Sequence, residues 1–135
     1  NYLVDSIKKG WVDAISTDHA PHTKEDKQRG AAGISGIETA FSLCYTKLVR
    51  GGHITLNRLS QLMSRNPSRI LKVQKGLITP GYDGDLILVD LNVDYIIRSC
   101  EFKSKGKNTP FEGRRVFGKV IKTIKAGKTV FEQEI

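Results

Sequence analysis

Long apolar runs are absent from this chain. Nothing in its 135 residues approaches the ~20 consecutive apolar positions of a membrane-spanning helix, so no membrane partner is expected. Cysteine is nearly absent too. Cys44 and Cys100 are the only two, and no CxxC spacing links them. That pattern points to reduced, structural thiols in a cytoplasmic protein. The opening residues, from Asn1 to Asp5, include neither a start methionine nor a signal-peptide core, so the chain reads as a fragment or a processed piece. A whole (β/α)₈ barrel needs roughly 250 residues and does not fit. Neither HxH nor HExxH occurs among the three histidines, so a self-contained zinc site is not expected.

Acidic side chains are scarce beside basic ones, 14 against 22, which leaves a net charge of +8. Ten of the basic residues fall between Arg98 and Lys128, where only Glu101 and Glu112 oppose them. No RNP, helix-turn-helix or zinc-finger pattern accompanies them. Lys119, Lys122 and Lys125 interleave with Val120, Ile121 and Ile124, as on a strand with a solvated face. Nucleic acid is therefore not the expected partner. A mild attraction for small anionic substrates is the more useful inference.

What is present suits a globular domain, with 39% hydrophobic and 27% charged residues. Residues 2–9 read as the end of an amphipathic helix with Leu3, Ile7 and Val4 inward, stopped by Gly10. Residues 11–17, WVDAIST, are short and apolar enough for a buried strand. The polar stretch 18–33 is long for a structureless connection, and such loops are usually functional or disordered. Helical spacing returns over 38–50, ending at Gly51-Gly52. It resumes from an N-cap at Thr55 through Met63, and a separate short helix starts at Asn66-Pro67. After Lys75 the character changes. Residues 85–89 and 95–97 look extended, 98–117 form a basic loop-rich excursion, and 119–125 turn through Ala126-Gly127 into a last strand. Glu38 is expected at a helix start, and Trp11 and Tyr45 are expected to pack.

Asp18-His19-Ala20-Pro21-His22 follows the expected buried strand directly. At the C-terminal end of a barrel strand, an aspartate can ligate a metal and exchange a proton with bound water. A turn or helix cap explains the same residue as well. His22 can donate hydrogen bonds to an anionic substrate, and His19 can orient Asp18. A solvent-exposed loop histidine is the plainer reading of either.

STDHAPH, GAAGISGIETAF and SKGKNTPFEG together resemble the class I dihydroorotases. NPSRIL, GLITPGYDGDLILVD and VIKTIKAGKTVF extend the resemblance over essentially the whole chain. PGYDGDLILVD is shared widely among amidohydrolases, whereas DHAPH with SKGKNTPF is more discriminating. The resemblance implies an α/β fold. Residues 1–75 would be the C-terminal end of a TIM (β/α)₈ barrel with its last strand–helix unit. Residues 76–135 would be the C-terminal part of a small β-sandwich-like domain.

The implied reaction is the reversible cyclisation of N-carbamoyl-L-aspartate to L-dihydroorotate in pyrimidine (UMP) biosynthesis, with one or two zinc ions. Asp18 would be metal ligand and proton shuttle, His22 would hold the substrate carboxylate, and the backbone of Ala32 and Gly33 would contact substrate. Ala32 stands where larger residues are common in that family. The other metal ligands would lie outside this chain, leaving the fragment alone inactive. Implied partners are the missing N-terminal barrel portion, a second copy in a homodimer, and aspartate transcarbamoylase. A non-catalytic assembly subunit, or a related allantoinase or hydantoinase, is the alternative.

Overall fold

The computed structural model describes residues 2–133; Asn1, on which the reading of the chain's start rests, lies outside them. The element order is five short helices followed by a three-stranded antiparallel sheet. Helix α1 (Tyr2–Lys8) buries Val4 and Ile7. Leu3, expected inward, is exposed; among the described residues nothing packs over it. Gly10 ends it at φ +79°, a conformation glycine adopts without strain.

Helix α2 (Lys24–Gln28) lies within the polar stretch. A reciprocal capping box closes it: Thr23 accepts from the Asp26 N–H, and the Asp26 carboxylate accepts from the Thr23 N–H and hydroxyl. The expected helix over 38–50 is α3 (Ala40–Cys44) running into a π turn at Tyr45–Val49.

The next run is continuous where two helices were expected. Helix α4 (Leu56–Ser60), a π turn at Gln61–Arg65 and α5 (Asn66–Leu71) follow without a break in helical dihedrals. Thr55 caps the run as expected, accepting from the Arg58 N–H at 3.1 Å. Asn66-Pro67 starts nothing new. The Asn66 N–H reaches back five residues to Gln61. This widened turn directly before Pro67 makes room for a ring that would otherwise clash with the preceding turn.

The core joins Val4, Ile7, Tyr45, Leu48, Leu59 and Leu62, with Val12, Ile15, Phe41 and Phe117 packed against it. Leu59 and Leu62 are fully buried. Leu62→Ala is expected to destabilise the protein by ~2–5 kcal/mol, the usual range for a buried leucine truncated in a core that relaxes only partly. Chemical denaturation measures it, and a change below about 1 kcal/mol would mean the site collapses around the cavity.

In the sheet, β1 (Leu86–Ile96) pairs with β2 (Arg115–Lys125), and β2 pairs with β3 (Lys128–Glu132). The two extended pieces expected at 85–89 and 95–97 are one strand. Its pairing is interrupted between Asp90 and Asp94. There the Asp90 carboxylate takes the N–H groups of Asn92 and Val93 in place of ladder bonds. Ala126 and Gly127 both have positive φ, 49° and 76°, as a tight hairpin turn requires.

Asp85 ties that turn to the preceding loop, accepting from Ala126 N–H and from the Lys125 and Lys75 ammoniums. Those hydrogen bonds, Lys125 first, hold its carboxyl well below the usual carboxylate range. Among the described residues no helix is long and apolar enough to cross a membrane.

The helical part and the sheet are joined through β2. Ser42 donates to the Gly118 carbonyl at 2.6 Å, and the Phe117 N–H donates to Thr46 at 2.7 Å. Tyr95 donates to Ser42 at 2.9 Å. Burial pushes the Tyr95 phenol up, and the Ser42 contact only partly opposes this. Tyr45 packs as expected, stacked on Phe41. A side chain at Gly118 would meet both rings, at 2.9 and 3.1 Å.

Candidate functional site

The run 11–17 has no regular secondary structure and pairs with no strand among the described residues. Its polar groups are met by the long helical run instead. Ile15 N–H donates to Leu62, Arg58 donates to the Val12 carbonyl, and Asn66 donates to the Asp13 carbonyl. A ladder needs a neighbouring strand, and neither α1 nor the run 56–71 offers one. Val12, Ala14 and Ile15 are accordingly half-buried rather than buried. Trp11, expected to pack, is 64% exposed and carries the Lys9 ammonium over its ring.

Asp18 ends this run with φ +46°. Few residues without a glycine's freedom adopt that conformation, and aspartate is among the more tolerant. The bend turns the chain back on itself. The Ala20 N–H then bonds to Ile34 at 2.9 Å, and His19 faces Ile34 in an isolated parallel bridge. The His19 ring does not orient Asp18. Its Nδ1 accepts from the N–H groups of Gly36 and Ile37, at 3.2 and 3.3 Å. His19 is thus a pin for the GISG turn, with its ring proton on Nε2.

This closure brings the expected substrate residues together. A Cβ on Gly33 would sit 2.7 Å from Ala20 Cβ and 3.3 Å from the His22 ring. With φ at +122° as well, only glycine fits there. Its carbonyl accepts from Lys27 Nζ at 3.0 Å and from Asn108 Nδ2 at 3.2 Å. Two donors occupy both lone pairs of that oxygen. A ligand beside Gly33 would therefore meet the N–H side of the backbone. His22 is half-buried, while Asp18 and Ala32 are exposed.

The loop around 102–108 closes the arrangement from far along the chain. Ser35 donates its hydroxyl to Gly106 at 2.6 Å, 71 residues away, and its N–H to Asn108 at 2.7 Å. Glu38 stands at a helix start as expected, directly before the N-cap Thr39 of α3, but it does not serve that helix end. Its carboxylate accepts from the N–H groups of Lys103 and Ser104, at 2.7 and 2.9 Å. Lys27, Ser35, Glu38, Gly106 and Asn108 all shape the site, and local sequence gave no sign of their roles. The one available signal was the pairing of DHAPH with SKGKNTPF in the family pattern. Lys107 turns to the Phe102 carbonyl, and Lys105 is exposed.

The donor set does not fit a zinc ion on its own. Tight binding takes about four ligands, or three and water. Among the described residues no three metal-ligating side chains converge, and His19 is committed to backbone. Asp18 offers one carboxylate. Clefts of about 270 and 320 Å³ are lined by Asp13, Asn66, Arg69 and their neighbours and include neither Asp18 nor His22. Burial raises the Cys44 thiol above its ordinary value, as suits an inert structural group, whereas Cys100 is exposed.

Curated relatives carry the name dihydroorotase. One from Clostridium botulinum is 51% identical over 97% of this chain and 33% of its own length. Another from a Thermoanaerobacter species is 46% identical over 98% of this chain and 31% of its own. The chain thus spans about a third of the curated relatives it matches. Among solved structures, an L-hydantoinase (dihydropyrimidinase) from Arthrobacter aurescens superposes with a TM-score of 0.90 at 31% identity, over 98% of this chain and 32% of that one. A dihydropyrimidinase from Brevibacillus agri gives 0.89 at 26% identity, over 97% and 31%. The helices and sheet described above therefore form part of a larger fold in those proteins. The amidohydrolase family profile matches residues 2–130, and the chain belongs to the amidohydrolase family.

Proposed function

We propose that these residues are the C-terminal third of a dihydroorotase that interconverts N-carbamoyl-L-aspartate and L-dihydroorotate. In this reading 1–75 complete a (β/α)₈ barrel and 76–135 complete a small β domain. The observation that carries it is the closure of the 18–36 loop. That closure sets the His22 ring against Gly33, with Asp18 directly after the run 11–17. The dihydroorotase relatives, at up to 51% identity, support the same choice.

The chemistry follows from the residue types. Dihydroorotate is a cyclic amide that bears a carboxylate. An imidazole can donate a charge-assisted hydrogen bond to that carboxylate. The N–H groups at Ala32 and Gly33 suit an acceptor beside it. The Asp18 carboxylate takes a proton from the attacking water and returns it to the leaving nitrogen. Zinc, held mainly by residues outside this chain with Asp18 as one ligand, would supply Lewis-acid activation of water when bound.

The hydantoinase structures favour a second reading, in which the ring is a plain cyclic amide. The two readings differ at the carboxylate. Full-length protein should hydrolyse dihydroorotate with kcat/KM at least ~100-fold above that for hydantoin or dihydrouracil, since a site built for a polar group strongly rejects the analogue lacking it. Equal turnover of all three would favour the hydantoinase reading. No turnover of any by the zinc-loaded protein would favour a non-catalytic assembly subunit.

A further inference from the structure

We propose that Glu38 is a positioning residue, which latches the 102–108 loop onto the substrate-carboxylate end of the site and so sets the place of His22 and Gly33. The inference rests on the reading of His22 given above. Three contacts carry it. Glu38 receives two successive backbone N–H groups, Lys103 and Ser104, at the start of the loop. Gly106, buried in the middle, lies so close to Pro21 and His22 that an added Cβ would stand 2.5 Å from Pro21 Cβ and 3.0 Å from the His22 N. Asn108, at the end, donates to the Gly33 carbonyl.

The loop thus touches both residues that would face the ligand. Glu38 is exposed, so its replacement leaves the buried core intact. What it supplies is an anion for two peptide N–H groups, each a bond stronger than a neutral one. Without that anion the basic loop keeps only its Ser35 and Gly33 anchors, and Gly106 fixes the Pro21–His22 peptide less firmly from outside. A merely structural role would alter stability or exchange without altering substrate affinity in step with His22.

The test uses full-length, metal-loaded protein and a double-mutant cycle of Glu38→Ala with His22→Ala. Glu38→Ala should raise KM for dihydroorotate by roughly five- to tenfold, the scale of one charge-assisted hydrogen bond lost indirectly, with kcat changed by less than about threefold. The double variant should be no worse than His22→Ala alone, because residues acting through one another are not additive. Glu38→Gln, which keeps one carbonyl oxygen for one N–H, should recover part of the affinity. Hydrogen exchange of peptides covering 31–36 should quicken in Glu38→Ala, because a looser loop opens the Ser35 N–H bond to Asn108 more often. Gly106→Ala should raise KM in the same direction from the other side of the contact.

If His22→Ala raises KM but Glu38→Ala does not, the latch is wrong and the reading of His22 stands. Additive losses, or faster exchange at unchanged KM, would make the loop structural only and overturn the proposal. A wild-type KM in His22→Ala removes the reading of His22 and the proposal with it.

Discussion

Asp18→Asn is expected to lower turnover of the full-length protein by roughly 10²–10⁴-fold in both directions, the usual scale for losing a general base. The amide keeps the shape of the side chain but takes no proton, and it is a weaker metal ligand. The substitution is clean for a structural reason. Asp18 sits at φ +46°, and asparagine tolerates that region as well as aspartate does. Alanine would add backbone strain to the chemical change, so it is the poorer probe. Loss in both directions is required, since a proton shuttle serves cyclisation and hydrolysis alike. Metal content should be measured beside the rate. A variant with full metal and near-normal turnover would strip Asp18 of the role.

His22→Ala should act on binding more than on chemistry. A charge-assisted hydrogen bond to a carboxylate is worth roughly 1.5–3 kcal/mol, so kcat/KM should fall about ten- to hundredfold, chiefly through KM. Some loss of kcat is compatible, because a loosely held ring is also misaligned. The half-buried ring lies against the Gly33 position, and its removal leaves the backbone hydrogen bonds of the loop in place. Metal content should therefore not change. If zinc is lost in proportion to activity, His22 is a ligand. If neither kinetic constant moves, it is an ordinary loop residue.

Features set by neighbouring residues were legible in the sequence. Gly127 announces its hairpin because the turn needs positive φ, which glycine adopts freely, whereas Ala126 takes it at a steric cost. Thr55 announces its helix because the cap is a bond to a residue three positions on. Pro67 misled for the same local reason: cap-then-proline is a start signal, and only the π turn before it lets the helix continue. Glu38 was legible in position, just before the cap of α3, but not in partners, which lie 65 and 66 residues away. The run 11–17 has the composition of a buried strand, but burial and pairing come from neighbours that composition does not specify. At the site, Asp18 and His22 stood out as residue types. What holds their loop is a set of bonds from common polar side chains to distant backbone, which local sequence does not reveal.

The contacts from Ser35 to Gly106 and from Glu38 to Lys103 span 71 and 65 residues, and this orders events during synthesis. At roughly 5–20 residues per second, ~70 residues take on the order of 4–14 s to make. Throughout that interval Asp18 and His22 have been made, and their loop rests only on local contacts, from Ala20 to Ile34 and from Gly36 and Ile37 to His19. A nascent chain ending before residue 102 carries Asp18 and His22 without the distant loop that packs on them. Closure of this loop therefore waits on residues 102–108, which are made well after Asp18 and His22.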